Sequence, residues 1–450
     1  MLDLYLLLFP KGNPMYLRRF VVDNVRSISN VQMDFKAGEE AGWHVILGSN
    51  GSGKSSLVRA FALVLMGEKE AYASRQDFNR WMRADQSKAT IEAQVSGDAI
   101  FDDVTGSGAR RGRLITVQAN LEIPSDMPIK NVEVKFSGNG FQRTIWGGGA
   151  GWFSASFGPF RRFTGGDNKY DRLFVTNKRL APHLTALGED VALTDAMGWL
   201  SSLFLLGLQD EKNGLVSEKM ALLAAVSSFL NASHFLPHNA TISSISGDNV
   251  EVSDGNGFDI PLDQLSDGYR SALSLVLELI RQMVELYGSA RMLSAIDAES
   301  GSILAPGVVM IDEVDAHLHP TWQRDIGHWL TKCFPHVQFL VTTHSPIVCR
   351  AVDKGGELKG SIWKLPAPGS TDSFRRVDDV ELNRLVYGDV IDAYSTELFG
   401  TDVIRSLEGE HKINRLAELN LKALEERLTS TEEAERKQLR IAFPAQAGSF

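Results

Sequence analysis

Trp43–Leu57, WHVILGSNGSGKSSL, runs from an apolar stretch through a glycine-rich turn into the start of a helical pattern. Strand-like alternation in YLRRFVVDNV and NVQMDF leads up to it, so WHVILG reads as a buried strand reached through shorter ones. Beyond the turn, Leu57, Ala60, Phe61, Val64 and Leu65 recur at helical spacing and predict a helix from Ser55 to about Met66 with one face on a sheet. The turn itself, Gly48–Ser55, matches the pattern GxxxxGK[ST] in its required place between strand and helix. Backbone N–H groups along Gly48, Ser49, Asn50, Gly51, Ser52 and Gly53, continued by Ser55 and Ser56, can then wrap phosphate oxygens, helped by the positive end of the helix dipole. Lys54 would reach the β- and γ-phosphates, and the Ser55 hydroxyl would face Mg²⁺. The stretch predicts an α/β domain that binds a nucleoside triphosphate.

Two further segments complete the chemistry. Val308–Glu313, VVMIDE, is an apolar strand ending in two acids, which is how a parallel sheet delivers carboxylates to the phosphate end of such a site. Asp312 is expected to hold Mg²⁺ through water, and Glu313 to orient or deprotonate the attacking water. Leu265–Tyr269, LSDGY, opens a helix, with Ser266 as N-cap and Gly268 leaving room for a phosphate at the backbone.

In this order the motifs resemble those of ATP-binding-cassette (ABC) ATPases. LSDGY is similar to the signature LSGGQ, with Ser266 and Gly268 matching and Asp267 and Tyr269 departing. His344 in LVTTHSP resembles the switch histidine that contacts the γ-phosphate. MIDEVDAHLHP resembles the DEVDAALD of the SMC and RecF branch, with Ala316–His319 in the D-loop place and His319 where that branch has an acid. NVRSI at 24–28 is similar to the opening of the same branch, which implies that Arg26 lies near the nucleotide. HLHP followed by TWQRDI and FPHVQFLVTTHSP is similar to cassette ATPases of bacterial phage defence, the OLD-like and Septu (PtuA) families. The specific motifs cover roughly residues 15–67 and 260–352.

The resemblance implies ATP and Mg²⁺ as ligands, with Glu313 and His344 as the catalytic pair. It also implies a shared site, in which Ser266, Asp267 and Gly268 of one subunit close in trans over the P-loop of another. One copy of each motif then requires a homodimer or a higher homo-oligomer. Gln86 and Gln94 are candidates for the glutamine loop from position only.

The pattern divides the chain into an extension (1–14), a P-loop lobe (15–170), a helical insertion (171–240), the second part of the lobe (241–375) and a helical C-terminal region (376–450). Strand-like runs between 88 and 146 predict a second, antiparallel sheet. Residues 147–166, GGGAGWFSASFGPFRRFTGG, read as a loop in which Arg161 or Arg162 meets phosphate or a partner. A long helix is expected from Asp267 to about Tyr287, then a glycine-containing linker to Pro306, and another helix from about Pro320. The insertion shows no sustained heptads, so a compact head without coiled-coil arms is expected.

Composition narrows the function classes. With 43% hydrophobic and 23% charged residues, the chain is neither wholly disordered, collagenous nor coiled coil. Two cysteines, Cys333 and Cys349, exclude a disulfide framework and a thiolate zinc site, and fit a reducing cytosol. Leu4–Phe9 is too short for a signal peptide or a membrane span, so a soluble cytoplasmic protein without a membrane partner is expected. A net charge of −10 argues against a surface built throughout for nucleic acid, although basic residues cluster at 109–113, 161–162 and 177–179. His317 and His319 lack an evident third ligand, and their D-loop place implies a contact across the dimer.

Two functions follow. The first is an ATPase that switches or scaffolds a separate effector, a nuclease of the HNH type from the same operon, in antiphage defence. The alternative is an ATP-dependent DNA-binding repair protein resembling RecF. An intrinsic Toprim nuclease would need a glutamate and a DxD on a further α/β unit, whereas the tail offers LEGEH at 407–411 and separated Asp389 and Asp392 in helical surroundings.

Overall fold

The computed structural model describes residues 16–97, 114–124, 131–139, 153–159, 177–188, 195–236, 240–247, 249–253, 256–265, 267–316, 318–389, 393, 407–425 and 427–442. The chain divides into two compact units, Met1–Val386 and Tyr387–Phe450. In the first, β1 (Leu17–Val25) and β2 (Ile28–Asp34) form a hairpin, and β3 (Gly42–Leu47) leads through the P-loop into α1 (Lys54–Met66). Then come β4 (Lys88–Val95), β5 (Ile115–Glu122), β6 (Glu133–Gly138) and β7 (Ser154–Phe157). Helices α2 (Asp195–Lys212) and α3 (Glu218–Ala232) precede a small meander of β8 (Thr241–Ile245), β9 (Val250–Ser253) and β10 (Asp259–Pro261). Helix α4 (Asp267–Tyr287), β11 (Gly307–Ile311), α5 (Pro320–Cys333), β12 (Val337–Thr343), β13 (Gly360–Lys364) and β14 (Arg375–Arg376) complete the unit's main elements.

Two sheets follow from two hydrophobic periods. In β1 and β4 the buried residues recur mostly at every second position, Phe20, Val22, Ala89, Ile91, Ala93 and Val95 among them, as a sheet with one wet face requires. These strands lie in an antiparallel sheet of order β2-β1-β4-β5-β6. Strands β3, β7, β11 and β12 are buried at every residue, the mark of a parallel sheet covered on both faces. They form the second sheet, of order β14-β13-β3-β12-β11-β7, in which only β14 runs antiparallel to its neighbour.

Helix α1 packs on both sheets, which explains why it is apolar beyond one face: Leu57, Val58 and every residue from Ala60 to Met66 are buried. Phe61 meets Phe20 of the antiparallel sheet edge to face, with ring centroids 6.0 Å apart. The register aligns Leu47 with Thr343, and Val341 with Ile311 and Phe157, so the strand ends that carry polar residues open at one edge of the sheet.

Three sequence expectations change. Residues 154–157 are a buried strand and not part of a loop, because SASF is small enough to pack beside β11 although glycine-rich flanks hide it. The stretch from Gly288 to Pro306 carries a helix, Ser289–Ala295, and a short hairpin pairing Ile296–Asp297 with Ser302–Ile303. Strand β13 lay outside the sequence reading altogether; five residues, GSIWK, are too few for a periodic signal. Both cysteines are buried free thiols. Among the described residues no helix is long and apolar enough to cross a membrane.

The second unit contains a helical hairpin, α6 (Leu407–Glu425) and α7 (Ser430–Ala442). Lys422 reaches Glu432 at 2.7 Å, and Arg415 bonds both Glu418 and Glu435. Thr429 and Glu432 exchange hydrogen bonds as a capping box at the start of α7. LEGEH lies in the first turns of α6; Asp392 and the extension 1–14 lie outside the described residues.

Candidate functional site

The P-loop is shaped by glycines that a side chain could not replace. Gly53, the N-cap of α1, has φ +104°, and a Cβ there would stand 2.9 Å from the Ser27 hydroxyl. The turn that carries Arg26 thus abuts the loop. Arg26 itself has φ +53°, and burial, then the nearby charge of Arg59 on α1, lowers its guanidinium pKa. Two residues that the motif search missed, Leu365 and Pro368, close the other side of the loop: Leu365 packs at Gly48 and Pro368 at Gly51.

Lys54 is buried and its ammonium donates to the carbonyls of Gly48 at 2.8 Å and Ser49 at 3.1 Å. Its pKa is lowered by burial, against the opposing pull of Asp312, Glu313 and Asp315. The Nδ1 of His344 lies 3.5 Å from the same ammonium, and its Nε2 lies 4.0 Å from Glu313. Burial and then the Lys54 charge push the His344 pKa down, against the opposing pull of Asp315, Glu313 and Asp312. Lysine, histidine and both acids, from the start of α1 and the residues that follow β12 and β11, therefore converge at one sheet edge. Asp312 is buried, whereas Glu313 and His344 keep 39% and 35% of their side chains exposed, open to an incoming group.

The site fits a magnesium-bound triphosphate. The Ser52 hydroxyl is buried in the P-loop without a hydrogen-bond partner among the described residues. Ser55, on the first turn of α1, and Asp312 supply the hard oxygen donors that Mg²⁺ prefers.

Threonines hold the acids, and the sequence reading passed over them. Thr342 Oγ1 donates to Asp312 at 2.6 Å and Thr343 Oγ1 donates to Asp315 at 2.6 Å. A β-branched pair ending a buried strand reads as strand chemistry, so only the hydroxyls facing two carboxylates reveal it. His319 caps α5, accepting from the Thr321 N–H at 3.4 Å, while His317 lies outside the described residues.

The remaining candidates are spread apart. Asp267 and Gly268 begin α4, where Tyr269 packs edge to face on Trp322 at 4.8 Å; Ser266 lies outside the described residues. Gln86 sits in the turn after Arg83, which binds the carbonyls of Asn24 and Ser27 beside the P-loop. Gln94 stands farther up β4, paired with Arg19 and bonded to Glu92. Of the three basic clusters, only 177–179 is described. Lys178 binds Glu285 and Arg179 is partly buried, so that cluster is tied into the fold. Arg161 and Arg162 lie outside the described residues.

The parallel sheet, the P-loop and the acids facing it define an α/β protein with the layout of a P-loop nucleotide site. A family model described as "AAA domain, putative AbiEii toxin, Type IV TA system" matches residues 182–350, and one described as "AAA domain" matches residues 19–143. The chain is similar to the Septu protein PtuA of Bacillus mycoides, 25% identical over 349 residues, 76% of this chain and 40% of that protein. It is also similar to the "Retron Ec83 probable ATPase" of Escherichia coli, 37% identical over 114 residues, 25% of this chain and 18% of that one. The chain thus spans less than half the length of these relatives. An SMC head solved with the C-terminal winged-helix domain of ScpA superposes with a TM-score of 0.44 at 15% identity, over 80% of this chain and 97% of that one.

Proposed function

We propose that the chain binds and hydrolyses ATP, pairs head to tail around it, and regulates a partner effector, a nuclease of the HNH type, in antiphage defence. The observation that carries the reading is the convergence of Lys54, Asp312, Glu313 and His344 at one sheet edge. The P-loop, from Gly48 to Ser56 with Arg26 beside it, binds the triphosphate, and Lys54 turns from the loop carbonyls toward the β- and γ-phosphates. Ser55 and Asp312 would hold Mg²⁺, which would supply neutralisation of phosphate charge when bound. Glu313 takes the proton of the attacking water, and His344, beside it, presents a ring nitrogen to the γ-phosphate.

Support for pairing comes from placement: Glu313 keeps 39% of its side chain exposed, and Gly268 stands at the start of another helix, α4, where the signature of a second copy would be offered. The similarity to PtuA and to the retron ATPase supports the defence role. Hydrolysis then acts as a timer, loosening the pair once the γ-phosphate leaves.

The test is ATP turnover by the full chain with Mg²⁺, beside Glu313→Gln, with mass measured in solution. Wild type is expected to turn over, and the variant to bind ATP, stall and accumulate as a pair. Turnover by the variant at the wild-type rate sinks the assignment of Glu313. Salt-dependent, ATP-dependent affinity for duplex DNA, without effect on a co-expressed nuclease, would favour the repair reading instead.

A further inference from the structure

Strand β12 ends at Thr342 and Thr343, both fully buried, just before His344. The Thr342 hydroxyl donates to Asp312 Oδ1 at 2.6 Å and accepts the backbone N–H of Glu313 at 2.8 Å. The carbonyl of Thr342 accepts the N–H of Val314 at 3.0 Å. One residue thus receives or gives three bonds across the turn that presents both acids. Thr343 repeats the device one position on, donating to Asp315 at 2.6 Å and accepting the Ser345 N–H at 2.9 Å.

Glu313 needs such support. Its φ is +45°, a region where side-chain-bearing residues are uncommon and which persists where surrounding bonds over-determine it. The bond from the Glu313 N–H to Thr342 is one that an extended continuation of β11 would not make.

Building on the ATPase reading, we propose that Thr342 is a positioning residue, whose hydroxyl fixes the Asp312 carboxylate and the Glu313 backbone in the geometry that hydrolysis uses. Thr343 does the same for Asp315, so a single strand end sets the acid pair, the turn after it and His344 together. Without Mg²⁺, which Asp312 would help to hold, phosphate binding is left to groups on the P-loop and α1, which Thr342 does not touch in any bond described above. Loss of the hydroxyl therefore separates turnover from affinity.

The experiment compares full-length wild type, Thr342→Val and Thr342→Ser. Valine keeps the volume and removes the hydroxyl; serine keeps the hydroxyl. Three quantities are read: kcat with Mg²⁺, Kd for ATP without Mg²⁺, and amide hydrogen exchange of peptides spanning 310–318 without nucleotide. A buried carboxylate and a backbone N–H deprived of one partner predict a kcat about 30-fold lower for valine, with Kd within about threefold. Exchange in 310–318 should be about tenfold faster in valine, and serine should recover most of both effects. Wild-type turnover in valine, equal losses in valine and serine, or unchanged exchange each overturns the proposal. Should valine not fold, Thr342→Cys, a weaker donor, is expected to fall between serine and wild type on one side and background on the other, and wild-type behaviour there overturns it equally. If wild type and Glu313→Gln hydrolyse ATP equally slowly, the ATPase reading fails, and the exchange difference between valine and serine alone decides whether Thr342 holds the acid turn.

Discussion

The edge of the parallel sheet and the start of α4 are held in different ways. At the sheet edge, hydrogen bonds of 2.6–2.8 Å tie Asp312, Glu313 and Asp315 to the end of β12. At the start of α4, Tyr269 lies against Trp322, Trp322 against Phe235, and Phe235 against Trp329, at centroid distances of 4.8, 5.2 and 4.2 Å. Hydrogen bonds weaken steeply with misalignment and so fix single atoms, whereas aromatic edges tolerate offset and tilt. The first arrangement suits chemistry on a phosphate. The second suits a helix start that keeps its packing through small shifts.

If that contrast is right, the largest effect comes from the polar side. Glu313→Gln should lower kcat about 10³-fold while ATP Kd stays near wild type, as expected for a group used only in the transition state. Stopped-flow binding beside phosphate release measures both, and a matching loss of affinity would make Glu313 a binding residue.

Next in size is a mixing experiment across the two regions. Lys54→Ala and Gly268→Asp should each abolish turnover alone. Mixed at equal amounts, random pairing leaves one intact site in half of the pairs, so about a quarter of wild-type activity should return. No recovery would mean that cradle and signature serve the same subunit, or that neither is shared.

A smaller effect tests the aromatic side by itself. Tyr269→Leu and Trp322→Leu, singly and together, should show a coupling of about 0.5–1.5 kcal/mol in unfolding free energy, the range for an edge-to-face pair. Additive losses would show that the two rings do not interact.

The contrast also explains what the sequence disclosed. The P-loop and the VVMIDE strand were legible because their spacing is imposed locally, by a tight turn and a strand end. The helix from Asp267 to about Tyr287 was legible, since its apolar stripe is long enough to carry a period. Strand β7 was not: four residues of small side chains show no alternation, and their burial comes from β11 beside them, far along the chain. The same holds for Thr342 and Thr343, whose partners lie 30 and 28 positions earlier. A polar pin is invisible in sequence until both of its ends are known, and Pro368 beside Gly51 is hidden for the same reason.

The smallest effect separates the two regions by acid. Two buried histidines lie against the strands of the parallel sheet: His183, between the hydroxyls of Ser154 and Ser156 on β7, and His44 of β3, between Ser361 and the Glu40 carbonyl. Burial lowers both pKa values to about 3, while an unfolded histidine titrates near 6.5. Below about pH 6.5 the unfolded chain therefore gains protons that the folded chain refuses, so stability is full above that pH and falls progressively toward pH 3. Between pH 7.5 and 6 each histidine should withdraw somewhat under about 1 kcal/mol. His183→Gln can still bond both serines and does not titrate, so its denaturation midpoint should move less with pH than that of wild type over this interval. The Tyr269–Trp322 coupling is a contact of ring edges and faces, and its energy should be the same at both pH values. Equal pH slopes in wild type and His183→Gln would mean that the β7 serines are held by packing alone, and the distinction between a pinned edge and a packed one would lose its supporting strand.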